Sequence, residues 1–555
     1  MRLLVSVLIS FLTLHAQTPR LADVQERRLA NGVRLLLVER RGLAAFHATL
    51  VFRGGWAEEP APAAGGMDLL ARALYGTTWP EDVDPAKTQP GLEALLKQEE
   101  GLLEALRLER LRQRQRQDPA NASALPALES HLESVQGRLR ALFSLSPLAD
   151  LYTARGGRQT AEATADALQA HTELPQEAFE FWCRTEAQRL RSIQLSRFSQ
   201  ARTALVTELR AQGAQGVALL RGAALPGHPY GRDLADHLPS LEALRWSDLR
   251  ALARRTLRPD HLMVIIIGGL SLDSALPTLE RHLGSLPAPP EGEDALLPEI
   301  PADLGDRRVQ ATLGGSPSLL CGWRLPARRH PDHLPLRLAA QLLGGGRTAR
   351  LESRLVRQKA MAQQVDLRMD LPGGRLPGLL MIGLKPADGH SLAEVEGALH
   401  SEILRLHQDP IPQDEWLRAI AQLEADHVRM LDEPAALARA LGQAWAEGGD
   451  WRLLESDAQR LRTLTPESVQ AAVRDWLKPT HRTTVMLEPT PDGPLNPLET
   501  EMSRVLNALA AHRIQDPAQR ERLVSEGLRQ LRMLNPEERQ RTLKLLEAQL
   551  TPERR

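Results

Sequence analysis

At 555 residues the chain is too long to share one hydrophobic core, so it must contain more than one domain. A formal net charge of -1 removes the electrostatic case for nucleic acid or an anionic membrane as partner, and an aromatic content of 3% argues against an all-β protein. Two cysteines, Cys183 and Cys321, cannot build a disulfide framework, and no CxxC pair exists to bind metal; both read as buried apolar thiols.

In chain order, Arg2 precedes an apolar run from Leu3 to Leu14 and the small residue Ala16, the tripartite pattern of a secretory signal peptide over 1–16. No later stretch reaches the ~18 apolar residues of a membrane span, so the mature chain is expected to have no integral membrane segment. Strand patterns follow at Val33 to Glu39 and Phe46 to Phe52. From Gly91 to Phe143 two helical runs flank the break DPANAS (Asp118 to Ser123). In the second run Leu125, Leu128, Leu132, Val135, Leu139 and Leu142 alternate at spacings of 3 and 4, predicting a coiled-coil hairpin inserted over 88–146.

Two later segments read alike. Leu241, Leu244, Ala251, Arg254, Leu257, Pro259 and His261 match Leu461, Leu464, Ala471, Arg474, Leu477, Pro479 and His481. Each segment predicts an amphipathic helix, a proline stop and a buried strand, Val264 to Ile267 in one and Thr483 to Leu487 in the other. A duplicated α/β domain follows: an N-terminal copy over 17–286, a Pro- and acid-rich linker over 287–305, and a C-terminal copy over 306–490. After Pro494 a helical tail over 491–555 has helix starts at Asp516-Pro517 and Asn535-Pro536. Hairpin and tail suit either partner docking or packing on their own body.

Smaller signals carry bland readings. His400 and His407 lie two turns apart beside Glu402 and predict a surface helix; HPDH at His330 to His333 predicts a loop. Gly344 to Gly346 lack a following GK[ST], so they read as a sharp turn or close approach, and the Arg107 to Arg116 run as a solvated face.

The segment GGMDLLARALYGTT, Gly65 to Thr78, preceded by FRGGWAEEPAPA, resembles the metal-site helix of pitrilysin/insulinase-type zinc metallopeptidases, which reads roughly GLAHxLEHMxFxGT. SRFSQARTALVTELR from Ser196, GHPYGRDL from Gly227 and LLGGGRTARLESRL from Leu342 resemble other segments of that family, over roughly Leu21 to Pro489. The resemblance implies an α+β fold with α/β-type layering, in which two homologous halves close as a clamshell. It also places the family's HxxEH ligands at Asp68 and Arg72, the general base at Ala71 and the third ligand at Glu208; sliding by one residue gives Met67, Leu70 and Ala71 instead. GGRQTAEATADALQA from Gly156 is similar to the family's substrate-binding edge strand, keeping Ala161 and Asp166 but with Thr160 for Asn and Ala170 for Tyr. VRQKAMAQQV keeps Arg357 of a substrate-contacting motif but has Gln363 in place of its Tyr. Backbone pairing of an extended peptide tolerates such changes.

Catalytic zinc needs three His, Asp, Glu or Cys ligands and an open position for water. Arg72 has no lone pair to donate, and its charge about 4 Å from a divalent ion costs roughly 8 kcal/mol at an effective dielectric near 20. Without a base at Ala71 a further factor of about 100 to 10,000 in rate is lost. The expectation is a chain with no catalytic residues, metal ligands or bound zinc, in which Arg72 pairs with Glu208, with Asp68 a turn away. As the family contains zinc-less subunits paired with active ones, the resemblance implies a periplasmic, non-catalytic partner of a homologous active peptidase subunit. The alternatives are a stand-alone peptide-binding or assembly protein and an active zinc endopeptidase with atypical ligands.

Overall fold

Strand Leu262–Gly268 is apolar at every position before its glycine and buried along its whole length, so the sheet containing it must be covered on both faces. The computed structural model describes residues 21–60, 63–74, 85–116, 124–142, 148–191, 193, 195, 198–212, 215–287, 305–313, 316–489, 497–511, 516–532 and 536–550. The signal segment, the DPANAS break and nearly all of the linker lie outside the described residues.

The first sheet contains β1 (Val24–Arg28), β2 (Arg34–Glu39), β3 (Ala45–Arg53), β4 (Arg158–Ala163), β5 (Ala167–Pro175) and β6 (Leu262–Gly268), in the order β1-β2-β6-β3-β5-β4. The second contains β7 (Arg307–Leu313), β8 (Ser318–Arg324), β9 (Ala362–Leu371), β10 (Leu379–Pro386) and β11 (Arg482–Pro489), in the order β7-β11-β8-β10-β9. Strands β2 to β6 and β7 to β11 repeat one topology: the last strand of each set runs parallel to the first and antiparallel to the second. The starts of β6 and β11 are 482 − 262 = 220 positions apart, and so are those of the preceding helices, 466 − 246 = 220. The duplication and the mixed α/β class are therefore present as the sequence predicts.

Side chains alternate across each strand, so each sheet has two faces. On the first sheet Leu35, Leu37, Phe46, Leu50, Val264 and Ile266 pack among helices of their own half. The opposite face, carrying Leu36, Val38, Val51, Met263, Ile265 and Ile267, is covered by Leu437, Leu441 and Trp445 from helix Pro434–Gly448 of the second half. The exchange is reciprocal. Val217, Leu219 and Leu220 of helix Gly216–Ala224, from the first half, cover Leu320, Met381, Val485 and Leu487 of the second sheet.

Local chemistry shapes these crossing helices. In Pro434–Gly448 the Glu433 carboxylate accepts hydrogen bonds from the Ala435 and Ala436 amides at 3.2 and 2.6 Å. Pro434 occupies the first turn, and Gly449, at φ 72°, ends the helix in the left-handed region. A Cβ at Gly442 would lie 2.7 Å from Val51 Cγ2, so the helix rests against β3 where it has no side chain.

A polar clamp closes the same seam. One oxygen of the buried Asp166 carboxylate accepts from the Tyr230 hydroxyl, and the other from the backbone amides of Gly374 and Arg375 at 3.1 and 3.2 Å. The Tyr230 hydroxyl accepts in turn from the Leu376 amide at 3.1 Å, and Arg375 pairs with Glu58. Burial pushes the Asp166 carboxyl up to about 6.

Helices Pro85–Arg116 and Ala124–Leu142 form the predicted hairpin, which packs on its own body. Leu92, Leu95, Leu96, Leu102, Val135 and Leu139 enter the core of the first half, and Arg250 is bound bidentately by Glu93. Tail helices Pro497–Ala511, Pro517–Arg532 and Pro536–Leu550 gather Met502, Val505, Leu531 and Leu543 into a cluster of their own. No helix among the described residues is long and apolar enough to cross a membrane.

Two minor expectations need correction. His400 and His407 do lie on one helix, Leu392–Gln408, but Glu402 between them is fully buried and bound by Arg354 and Arg405 at 2.5 and 3.0 Å, so this face is no simple surface. The loop expected for HPDH is present over His330, Pro331 and Asp332, but His333 begins helix His333–Gly344, is buried, and contacts Asp370 at 2.8 Å through Nε2. Cys183 and Cys321 are both free and buried.

The clamp gives a direct test. Tyr230→Phe leaves one oxygen of Asp166 and the Leu376 amide short of a partner, and is expected to lower stability by about 1–3 kcal/mol, read as a reduced urea midpoint.

Candidate functional site

Helix Gly66–Leu74 is short and held from both ends of its apolar stripe. Met67, Leu69, Leu70, Ala71, Ala73 and Leu74 are buried in the core of the first half. Its N-terminus is cradled by the buried Glu59, whose carboxylate accepts from the Gly65 and Met67 amides at 2.8 and 2.5 Å. Burial nevertheless pushes the Glu59 carboxyl up to about 8, those two amide bonds opposing the shift.

What remains outside the core is the face carrying Asp68 and Arg72, half-buried and exposed respectively. This face turns toward helix Phe198–Gln212, whose own buried stripe is Phe198, Leu205, Val206 and Leu209 and whose Glu208 points back. Arg72 Nη2 lies 2.9 Å from Glu208 Oε2. Of the two registers open at the sequence level, Met67, Leu70 and Ala71 face the core, while Asp68 and Arg72 face Glu208. The expected pair is therefore formed.

With side chains 41% and 44% exposed, the pair contributes at most about 1 kcal/mol of stability. Its chemical consequence is larger. Arg72 places a permanent cation with no lone pair against Glu208, and Ala71 supplies no base. Among the described residues no group of three or more His, Cys, Asp and Glu side chains could hold a metal ion. The donor set present does not fit a catalytic zinc.

Asp68 sits in a composite field. Burial, helped by the Glu208 charge, pushes its carboxyl up to about 6, against the pull of the Arg72 cation and a backbone hydrogen bond.

The peptide-facing candidates lie elsewhere. Thr160 and Ala161 are in β4, the outermost strand of the first sheet, paired with His171 and Ala170 of β5. Arg357 is exposed on the short helical segment Glu352–Gln358 of the second half, and among the described residues it has no hydrogen bond or ion pair that joins it to β4. Asp166 and Tyr230, both matched to family segments by sequence, meet in the clamp between halves, a pairing that the two separate motifs do not reveal. Glu59 was not singled out from sequence; an acid seven residues before the helix start carries no pattern of its own.

The site suggests a titration. Because the folded-state value of Asp68 lies above the ordinary carboxylate value, its contribution to stability is complete below about pH 4 and is lost as pH rises through about 6. Arg72→Gln is expected to move the Asp68 midpoint further up and Glu208→Gln to move it down, both read by NMR titration of the Asp68 carboxyl.

The fold has relatives among known proteins. Residues 245–423 match the family model described as the peptidase M16 inactive domain. An uncharacterized zinc protease of Mycobacterium leprae is 24% identical over 257 residues, covering 45% of this chain and 56% of that protein, so the chain spans little more than half of that relative's length. Among solved structures, a protease from Helicobacter pylori superposes with a TM-score of 0.67 at 16% identity, covering 85% of this chain and 100% of the other. The first half of the periplasmic protease PqqL from Escherichia coli gives a TM-score of 0.61 at 14% identity, covering 92% and 97%. The chain is thus similar to M16 metallopeptidases in fold and, over residues 245–423, in sequence, and it has Asp68-Leu-Leu-Ala71-Arg72 in the helix that resembles the zinc-binding one of pitrilysin/insulinase-type members.

Proposed function

We propose that this chain is a non-catalytic, zinc-less subunit that pairs with an active zinc peptidase of the same family and completes a peptide-processing chamber with it. The observation that carries the reading is the Arg72–Glu208 ion pair, which spends two of the three ligand positions on each other. A cation at one of them opposes a divalent metal, and the missing base at position 71 opposes activation of water. The match to an M16 inactive domain and the leader-like N-terminus support a periplasmic protein that works beside a catalytic relative.

A second reading is favoured by β4. Among the described residues its outer edge has no strand neighbour, so an extended peptide could add there whether or not a peptidase partner is present.

Metal content and peptide cleavage of the pure chain test the first reading together. The expected result is sub-stoichiometric zinc and no chelator-sensitive cleavage, with co-purification from the host of a homologous chain bearing an intact HxxEH. Stoichiometric zinc with chelator-sensitive cleavage would make the chain an active peptidase, whereas a metal-free protein that remains a monomer in its host favours the stand-alone reading.

Rebuilding the site is the complementary experiment. Glu208 already reaches position 72, so the triple variant Asp68→His, Ala71→Glu, Arg72→His is expected to bind about one zinc per chain. A metal-free triple variant would mean that the backbone, and not only the side chains, has left the zinc geometry.

A further inference from the structure

Away from Arg72 and Glu208, a cavity of about 600 Å³ lies where the inserted hairpin meets the body of the first half. Helix Pro85–Arg116 forms one wall; helix Phe198–Gln212 and the segment from Pro239 to Trp246 form the others. The volume is within the range that holds small ligands. One wall is the hairpin itself, so the cavity comes with the insertion and not with the duplicated fold.

Four arginines and four glutamates line it, so the wall as a whole favours a ligand without net charge. Most of these groups already answer one another. Glu104 takes Arg107 and Arg245 at 3.7 and 3.8 Å, and Glu242 takes Arg210. Glu100 accepts from the Ser247 hydroxyl at 2.8 Å.

One acid and one base keep unused hydrogen-bonding capacity. Glu99 is only 5% exposed, and its Oε1 accepts from both the Gln136 amide and the Ser199 hydroxyl at 3.0 Å, while Oε2 accepts no hydrogen bond among the described residues. Arg202 gives Nη1 to the Leu244 carbonyl at 2.7 Å, and among the described residues its Nε and Nη2 have no acceptor and it forms no ion pair. The Glu99 and Glu242 charges attract Arg202 without reaching it. Ser199, which holds Glu99, is three residues from Arg202 on one face of their helix, so the acid and the base stand about one turn apart. Leu96, Leu103, Phe198 and Trp246 supply apolar and aromatic wall beside them.

We propose that this cavity binds a zwitterion with an apolar body, its ammonium received by Glu99, its carboxylate by Arg202 and its hydrocarbon part by Leu96, Leu103, Phe198 and Trp246. Each contact is a charge-assisted hydrogen bond, and Arg202 still has two nitrogens to give. A free ammonium and a free carboxylate on one apolar molecule describe a single amino acid and a short peptide alike; the separation of the two charges tells them apart. Binding ties the hairpin to helix Phe198–Gln212 through the ligand. The inference does not depend on the proposed role of the Arg72 site.

Calorimetric titration of the full chain tests it with four probes: phenylalanine, N-acetyl-phenylalanine, phenylalanine amide and the dipeptide Phe-Leu with both ends free. Blocking either end is expected to weaken binding about tenfold to hundredfold, the loss of one charge-assisted hydrogen bond. Tighter binding of Phe-Leu than of phenylalanine assigns the ligand as a short peptide, and the reverse as a single amino acid. Glu99→Gln is expected to abolish the preference for phenylalanine over its N-acetyl derivative while keeping the preference over the amide, and Arg202→Gln to do the opposite. The comparison among probes on the unaltered chain stands even where a variant fails to fold. Absence of saturable binding by both phenylalanine and Phe-Leu, equal binding of the blocked derivatives, or a folded Arg202→Gln that still discriminates against the amide each overturns the proposal.

Discussion

Each half of this chain builds a sheet that is apolar on both faces but supplies large helices of its own to only one of them. The physics then leaves no free choice. Leu36, Val38, Met263, Ile265 and Ile267 on one sheet, and Leu320, Met381, Val485 and Leu487 on the other, need cover. Each fully buried side chain of this kind is worth about 1.5–3 kcal/mol. The cover comes by exchange: Pro434–Gly448 crosses to the first sheet and Gly216–Ala224 to the second. Neither sheet is complete without the other half, so the two halves of the chain are interdependent rather than beads on a linker.

The polar contacts at the seam follow from that exchange. Asp166 lies deep enough to be pushed up to about 6, and it is tolerated because Tyr230 and two backbone amides satisfy both of its oxygens. Gly373 is needed beside it, since a Cβ there would stand 2.3 Å from Asp166 Oδ2. Buried charge here registers one half against the other, where apolar packing alone would allow the helices to slide.

At helix Gly66–Leu74, the scaffold is independent of the polar residues it displays. Glu59 caps the helix, the apolar stripe anchors it, and Glu208 faces it from the neighbouring helix. Its outward face is closed by the Arg72–Glu208 pair, which contributes little to stability either way. Scaffold and site separate because the first depends on buried, apolar positions and the second on exposed ones.

The duplication was legible because the repeated helix, proline stop and strand recur at a constant offset of 220, and the hairpin because its leucines keep heptad spacing. The resemblance of Asp68, Ala71, Arg72 and Glu208 to a metal site was equally available, since it is carried by residue types in a short local pattern. What the amino-acid order left open was every relation between distant segments. Which register of Gly66–Leu74 faces Glu208 was settled by which residues the core claimed. The hairpin packs on its own body because Val135 and Leu139 reach the core of the first half, and Glu402 is buried because Arg354 reaches it from another element. The helix exchange and the Asp166–Tyr230 clamp have no local signature at all. Each is a balance struck among side chains tens or hundreds of positions apart, and such balances exist only once the chain has closed on itself.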